Sequence, residues 1–133
     1  MNGNIFMNLR NRLMTVFAVI ALCFVGSVSA IAADAVQARK DIKATGQEYT
    51  AQEFATSAGN GDMTAVQLFL DAGMDVNSGA GAAIGLAAGR GQLKMVQFLL
   101  SKGAKPTSNA LQYARTRGHP EIAKVLVEAG ATE

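Results

Sequence analysis

Gly91-Gln-Leu-Lys-Met-Val-Gln-Phe-Leu-Leu-Ser-Lys-Gly103 decides the fold, because the chain writes this segment three times. Gly61 to Gly73 and Gly118 to Gly130 have the same length and the same pattern. Four positions after the first glycine stand Ala65, Met95 and Ile122; five after stand Val66, Val96 and Ala123. Eight and nine after stand Phe69-Leu70, Leu99-Leu100 and Leu126-Val127. At helical pitch these offsets share one face, while offsets three, six and ten, polar in every copy, share the other. Each copy therefore predicts an amphipathic helix. Pro120 suits a first helical position, and the closing glycine supplies a left-handed stop.

A shorter helix is expected before each opening glycine. Phe54, Ile84 and Leu111 stand seven before it, and Ser57, Ala87 and Ala114 four before it. Thr50-Ala-Gln-Glu53 reads as a capping box for the first of these helices, with Ser108 or Asn109 as cap of the third. Small residues dominate them, so neighbours can approach closely. A helix pair with one apolar face cannot stand alone, but stacked copies bury a continuous core.

Phe69-Leu-Asp-Ala-Gly-Met-Asp-Val-Asn77, with the segments from Gly91 and Gly118, resembles ankyrin repeats. The resemblance implies an all-α solenoid of about three helix-pair units (50–77, 78–107 and 108–133) with short β-turn fingers. The spacings of 30 and 27 residues fall short of the usual 33 or so, and the missing residues lie after Gly73 and Gly103. The family's Thr-Pro-Leu-His opening is replaced by Gln52-Glu-Phe-Ala55, Ala82-Ala-Ile-Gly85 and Asn109-Ala-Leu-Gln112. Residues 34–49 are expected to form an N-terminal cap helix and linker, with Val36, Arg39 and Ile42 on one side and Gly46 as its stop. In this arrangement the chain resembles small secreted ankyrin proteins of bacteria.

Residues 1–30 are a different kind of sequence. Arg10 and Arg12 precede an uncharged run from Leu13 to Ala33, whose apolar core ends at Gly26-Ser27. This is the layout of a secretory signal peptide, with cleavage after Ala30 or Ala32. An uncleaved anchor is the alternative, since a span needs about 20 apolar residues. Cleavage removes Cys23, the one cysteine, and no intramolecular disulfide is possible in either form.

The 133-residue chain carries a formal charge of +2, which comes from Arg10 and Arg12. Without them ten Lys and Arg balance ten Asp and Glu, so a nucleic-acid partner is not expected. The length excludes a multidomain enzyme. Gly79, Gly81 and Gly85 suggest a nucleotide loop, but a helix rather than a strand precedes them. Their plain reading is a short finger entering a glycine-rich helix. With about 1 kcal/mol lost per interior glycine, Ala82 to Gly89 is expected to be the least stable helix. His119, the sole histidine, lacks the companions that a nucleophilic or zinc site requires, and a structural role is expected.

These readings lead to an exported, periplasmic or secreted, non-catalytic module without cofactor or metal. It is expected to be a monomer, with no membrane contact after cleavage and one unidentified protein partner. The resemblance places the partner on the concave face, where Gly59, Asn60, Gly89, Arg90, Arg115, Thr116 and Arg117 are the candidate contacts. The plain alternative for the arginines is charge at a helix C-terminus complementing the dipole. Two alternatives remain within binding and structure: an effector or immunity-type inhibitor, and a membrane-tethered structural module with an uncleaved N-terminal helix. A third, an enzyme, would need a pocket holding two perturbed carboxylates.

Overall fold

The computed structural model describes residues 31–132, so the expected signal peptide lies outside the described residues. Residues 35–132 form one compact unit. Seven helices run through the described residues, which contain no strand: α1 (31–44), α2 (Ala51–Asn60), α3 (Met63–Asp71), α4 (Ser78–Gly89), α5 (Leu93–Ser101), α6 (Ser108–Thr116) and α7 (Pro120–Glu128). Helices α2 to α7 are three pairs: α2 with α3, α4 with α5, and α6 with α7.

The repeated glycines terminate these six helices. In each pair both the opening and the closing glycine adopt positive φ, from 75° at Gly91 to 103° at Gly130. The same two hydrogen bonds accompany every one. At α3, for example, the Gly73 N–H donates to the Leu70 carbonyl and the Met74 N–H to the Phe69 carbonyl. This is the Schellman stop, in which a left-handed residue satisfies carbonyls that the helix leaves open. The N-termini are capped less uniformly. Thr50 and Asp62 accept from the Glu53 and Ala65 N–H groups. The capping box is half made, because the Thr50 N–H donates to the Glu48 carbonyl instead. The cap of α6 is Thr107, which accepts from Ala110 at 3.1 Å, rather than Ser108 or Asn109. Thr107 has the extended backbone that a cap needs, whereas Ser108 and Asn109 already lie within the helix.

The core follows the repeat. Offsets four, five and eight are buried in all three copies, and Phe54, Ile84 and Leu111 are buried beneath them. Helix α4 packs extensively on α2 and on α6, while the outer helices α3, α5 and α7 approach one another much less. The residues explain the difference. Gly and Ala separate the inner helices, whereas Leu68, Phe98 and Val125 pack partly buried along the outer ones.

Helix α1 covers the first unit with Ala38 and Ile42. Val36, expected on the covered side, is 52% exposed. Arg39 reaches the repeat instead: its Nε donates to the Ala72 carbonyl, which also accepts from the Tyr49 hydroxyl, both at 3.1 Å. Its guanidinium lies over the Tyr49 ring, which stacks on Phe69.

Helix α4 has the most unusual entry. Gly79, Ala80 and Gly81 are all left-handed, with φ of 65°, 56° and 77°, so regular helix occupies only residues 82–89. Those residues are buried between α2 and α6, apart from the half-buried Ala82 and Leu86. The expectation that this is the least stable helix rested on glycine propensity, and its burial on two sides opposes it. Helical stability in proteins comes mainly from packing.

Candidate functional site

The candidate strip begins at the ends of the inner helices. Arg90 caps α4 and folds back over α2, where its Nη1 donates to Asn60 Oδ1 at 2.5 Å. Gly59 admits it: a Cβ there would lie 3.2 Å from Arg90 Nη1 and 3.2 Å from Leu86 Cβ. Arg117, one unit on, repeats the move over Gly89, with Nη1 donating to the Gly89 carbonyl at 3.4 Å. Its guanidinium also sits 5.9 Å from the Tyr113 ring. Gly59, Asn60, Gly89, Arg90 and Arg117 therefore come together as inter-unit ties. The two glycines are buried, so they serve as floor rather than contact surface.

Arg115 and Thr116 do not join this strip. They lie with Ser108, Leu111 and Gln112 around a shallow depression of about 440 Å³ on α6. This flank faces away from α4, since α6 turns Thr107, Tyr113 and Arg117 toward it. Adjacency in sequence misled here: one helical residue advances about 100° around the axis, so Thr116 and Arg117 diverge.

A groove of about 390 Å³ crosses the middle of the inner face. Gly85 and the left-handed turn floor it, Leu86 lines it, and Gln52, Asn109 and Tyr113 wall it. No charged residue lines it, and Tyr113 is 44% exposed. Reading the sequence for charge passed over these residues. The signal available was the lack of side-chain bulk along α4 between the larger side chains of α2 and α6.

The fingers are joined through Asn77. Its Oδ1 accepts from the Lys105 N–H at 2.8 Å and its Nδ2 donates to the Gly103 carbonyl at 3.3 Å, while its own N–H donates to Asp75. His119 packs on the preceding unit: a Cβ built on Gly91 would come within 2.7 Å of its Cε1, as one on Gly61 would of Gln92 Oε1. Among the described residues, no three His, Cys, Asp or Glu side chains gather as metal ligands would. No helix among them is long and apolar enough to cross a membrane.

A family model for ankyrin repeats in three copies matches residues 53–132. The chain belongs to the ankyrin-repeat family. The three helix pairs, their paired glycine stops and the joined fingers are thus ankyrin units. Neither a curated protein nor a solved structure matches the chain significantly. Ankyrin repeats identify a protein–protein interaction module, of a family that is generally non-enzymatic.

Proposed function

We propose that this ankyrin protein is exported and holds one protein partner on its inner-helix face and fingers, without catalysing a reaction. The observation that carries the binding reading is the uncharged groove over Gly85, with Tyr113 exposed at its wall. Aromatic side chains in such positions bury large areas at little entropic cost and are enriched among interface anchors. Arg90 and Arg117 lie at the C-terminal ends of the inner helices, near Leu86 and Tyr113 of the groove lining, and are held by neighbouring units, so a partner meets them already positioned. The export reading rests on Arg10, Arg12, the apolar run and Val28-Ser29-Ala30. The non-catalytic reading rests on the general character of the family as binding modules.

Affinity capture from the periplasmic fraction tests the binding reading. Tyr113→Ala and Ala82→Arg should abolish capture with melting temperature preserved, while Thr64→Glu on outer helix α3 should leave it intact. Equal capture by all three variants would refute the inner-face assignment. The intact mass of the recovered chain tests export. A start at Ile31 or Ala33 supports it, and an uncleaved mass in the membrane fraction favours the tethered module.

A further inference from the structure

Charge is sorted along the chain. From Glu48 to Asp75 stand five carboxylates and no Lys or Arg, and from Arg90 to Arg117 six Lys or Arg and no carboxylate. The near-cancellation of the two runs hides this in the net charge. The inner helices show where the sorting reaches the inner face. Five and one before the opening glycine, the first unit has Thr56 and Asn60, the second Leu86 and Arg90, and the third Tyr113 and Arg117. An uncharged polar pair in the first unit thus becomes a large side chain followed by a cation in the next two. Each cation lies near its own large neighbour. A Cβ on Gly59 would meet Leu86 Cβ and Arg90 Nη1 at 3.2 Å alike, and the Arg117 guanidinium sits 5.9 Å from the Tyr113 ring. Leu86 and Tyr113 both line the groove.

Neither cation is neutralised among the described residues. Arg90 donates to the uncharged amide of Asn60, and Arg117 to a backbone carbonyl. A guanidinium carries several N–H donors, so each arginine keeps most of its fork for another acceptor. An aspartate at position 60 would match the asparagine in shape and would cancel Arg90 where it lies. The first unit does carry carboxylates, but three of them make local bonds. Asp62 accepts from the Ala65 N–H, Asp71 from the Gln67 amide and Asp75 from the Asn77 N–H. The groups that hold Arg90 and Arg117 therefore fix their position and leave their charge.

We propose that the partner presents an acidic polypeptide segment to the second and third units, with carboxylates beside an aromatic or aliphatic residue. The apolar residue enters the groove that Leu86 and Tyr113 line, and the carboxylates take the open N–H groups of Arg90 and Arg117. This rests on the inner-face reading above and gives the partner a chemical class. A carboxylate matches the planar fork of a guanidinium with paired, charge-assisted hydrogen bonds. A nucleic acid fits less well, because its affinity comes from neutralising a series of phosphates. Arg90 and Arg117 supply two charges here, and the unit beside them carries five carboxylates.

An NMR titration of the purified protein tests this with the peptide Gly-Glu-Glu-Phe-Glu-Glu-Gly and a counterpart carrying glutamine for every glutamate. The acidic peptide should bind about tenfold more tightly than its counterpart. It should move the signals of Arg90, Arg117 and Tyr113, leave those of Thr64 and Gln97 on the outer helices, and weaken as sodium chloride is raised. Arg90→Gln and Arg117→Gln should each weaken it about threefold or more. Asn60→Asp supplies Arg90 with a carboxylate from within, so affinity should fall by a similar factor while the melting temperature is kept or raised. Loss of structure could not give that combination. Lys124→Gln removes one positive charge on outer helix α7 and should leave affinity unchanged. Equal affinity for the two peptides, no detectable binding of the acidic one, or undiminished affinity in Asn60→Asp would overturn the proposal. So would tighter binding of oligothymidylate, or of phosphatidylglycerol vesicles, than of the acidic peptide. Tyr113→Ala separates the two readings. If both peptides bind equally and Tyr113→Ala weakens both, the inner face stands and the acidic class falls. If the arginine variants weaken the acidic peptide and Tyr113→Ala does not, the acidic class stands and the groove assignment falls.

Discussion

Arg90 Nη1 donates to Asn60 Oδ1 at 2.5 Å across thirty residues of sequence, one full repeat. The bond ties the end of one inner helix to the end of the one before it, and the space it runs through exists because residue 59 is glycine. Both partners are exposed, so water competes for the bond and its contribution is modest. Arg90→Ala and Asn60→Ala should each destabilise the protein, and a double-mutant cycle should give a coupling of about 0.5–1 kcal/mol. Urea denaturation of the four proteins measures it. A coupling indistinguishable from zero would mean that the arginine is held by packing alone.

Two inner-helix glycines that look alike in sequence should respond oppositely to alanine. A Cβ at Gly59 would press on Leu86 Cβ, which is fixed to the backbone of α4, so Gly59→Ala should cost about 1 kcal/mol or more despite the gain in helix propensity. A Cβ at Gly85 meets the Tyr113 ring at an ordinary contact distance, so Gly85→Ala should stabilise by about 0.5–1 kcal/mol. Thermal melts of the pair decide the matter, and the same direction of shift in both would contradict the packing described.

Ala80 has a left-handed backbone with φ of 56° and is exposed, so its side chain gains little from the position. Ala80→Gly should stabilise the protein by up to about 1 kcal/mol by relieving the Cβ penalty. Gly79→Ala, at φ 65°, should destabilise by a similar amount. Reversal of either sign in chemical denaturation would place the left-handed turn in error.

Asn77 bonds both ways across the fingers, and alanine removes both bonds at once. Asn77→Ala should cost about 1–2 kcal/mol and should speed exchange of the Lys105 amide in particular. Unchanged exchange at Lys105 with a lowered melting temperature would indicate a general loss rather than the local one expected.

Amide exchange also ranks the helices. Residues 82–89 lie in a helix that packs on α2, α5 and α6, whereas α7 packs on α6 and more sparsely on α5, with Val127 exposed. Exchange should therefore be slower in α4 than in α7, since protection follows burial and contact density rather than propensity. Faster exchange in α4 would restore the ranking that its glycines alone suggest.

Read as a string, the chain determines its helix pairs, their phase and their stops. Periodicity of apolar residues and the paired glycines are local signals: a face of a helix and a left-handed residue are each specified within a few positions. Export, too, is a reading of local composition, in residues outside those described. What the string left undecided was every property set by two residues far apart. It offered Arg115, Thr116 and Arg117 as one cluster, but helical rotation sends the first two to the end flank and the third back over Gly89. It offered charge as the mark of the binding face and was silent on the groove, which is made by side chains that α4 lacks between those that α2 and α6 possess. It ranked α4 by propensity, but its burial depends on both neighbours. Stacking brings residues together at one-repeat separation, and only there do size, charge and exposure acquire the partners that decide what each residue does.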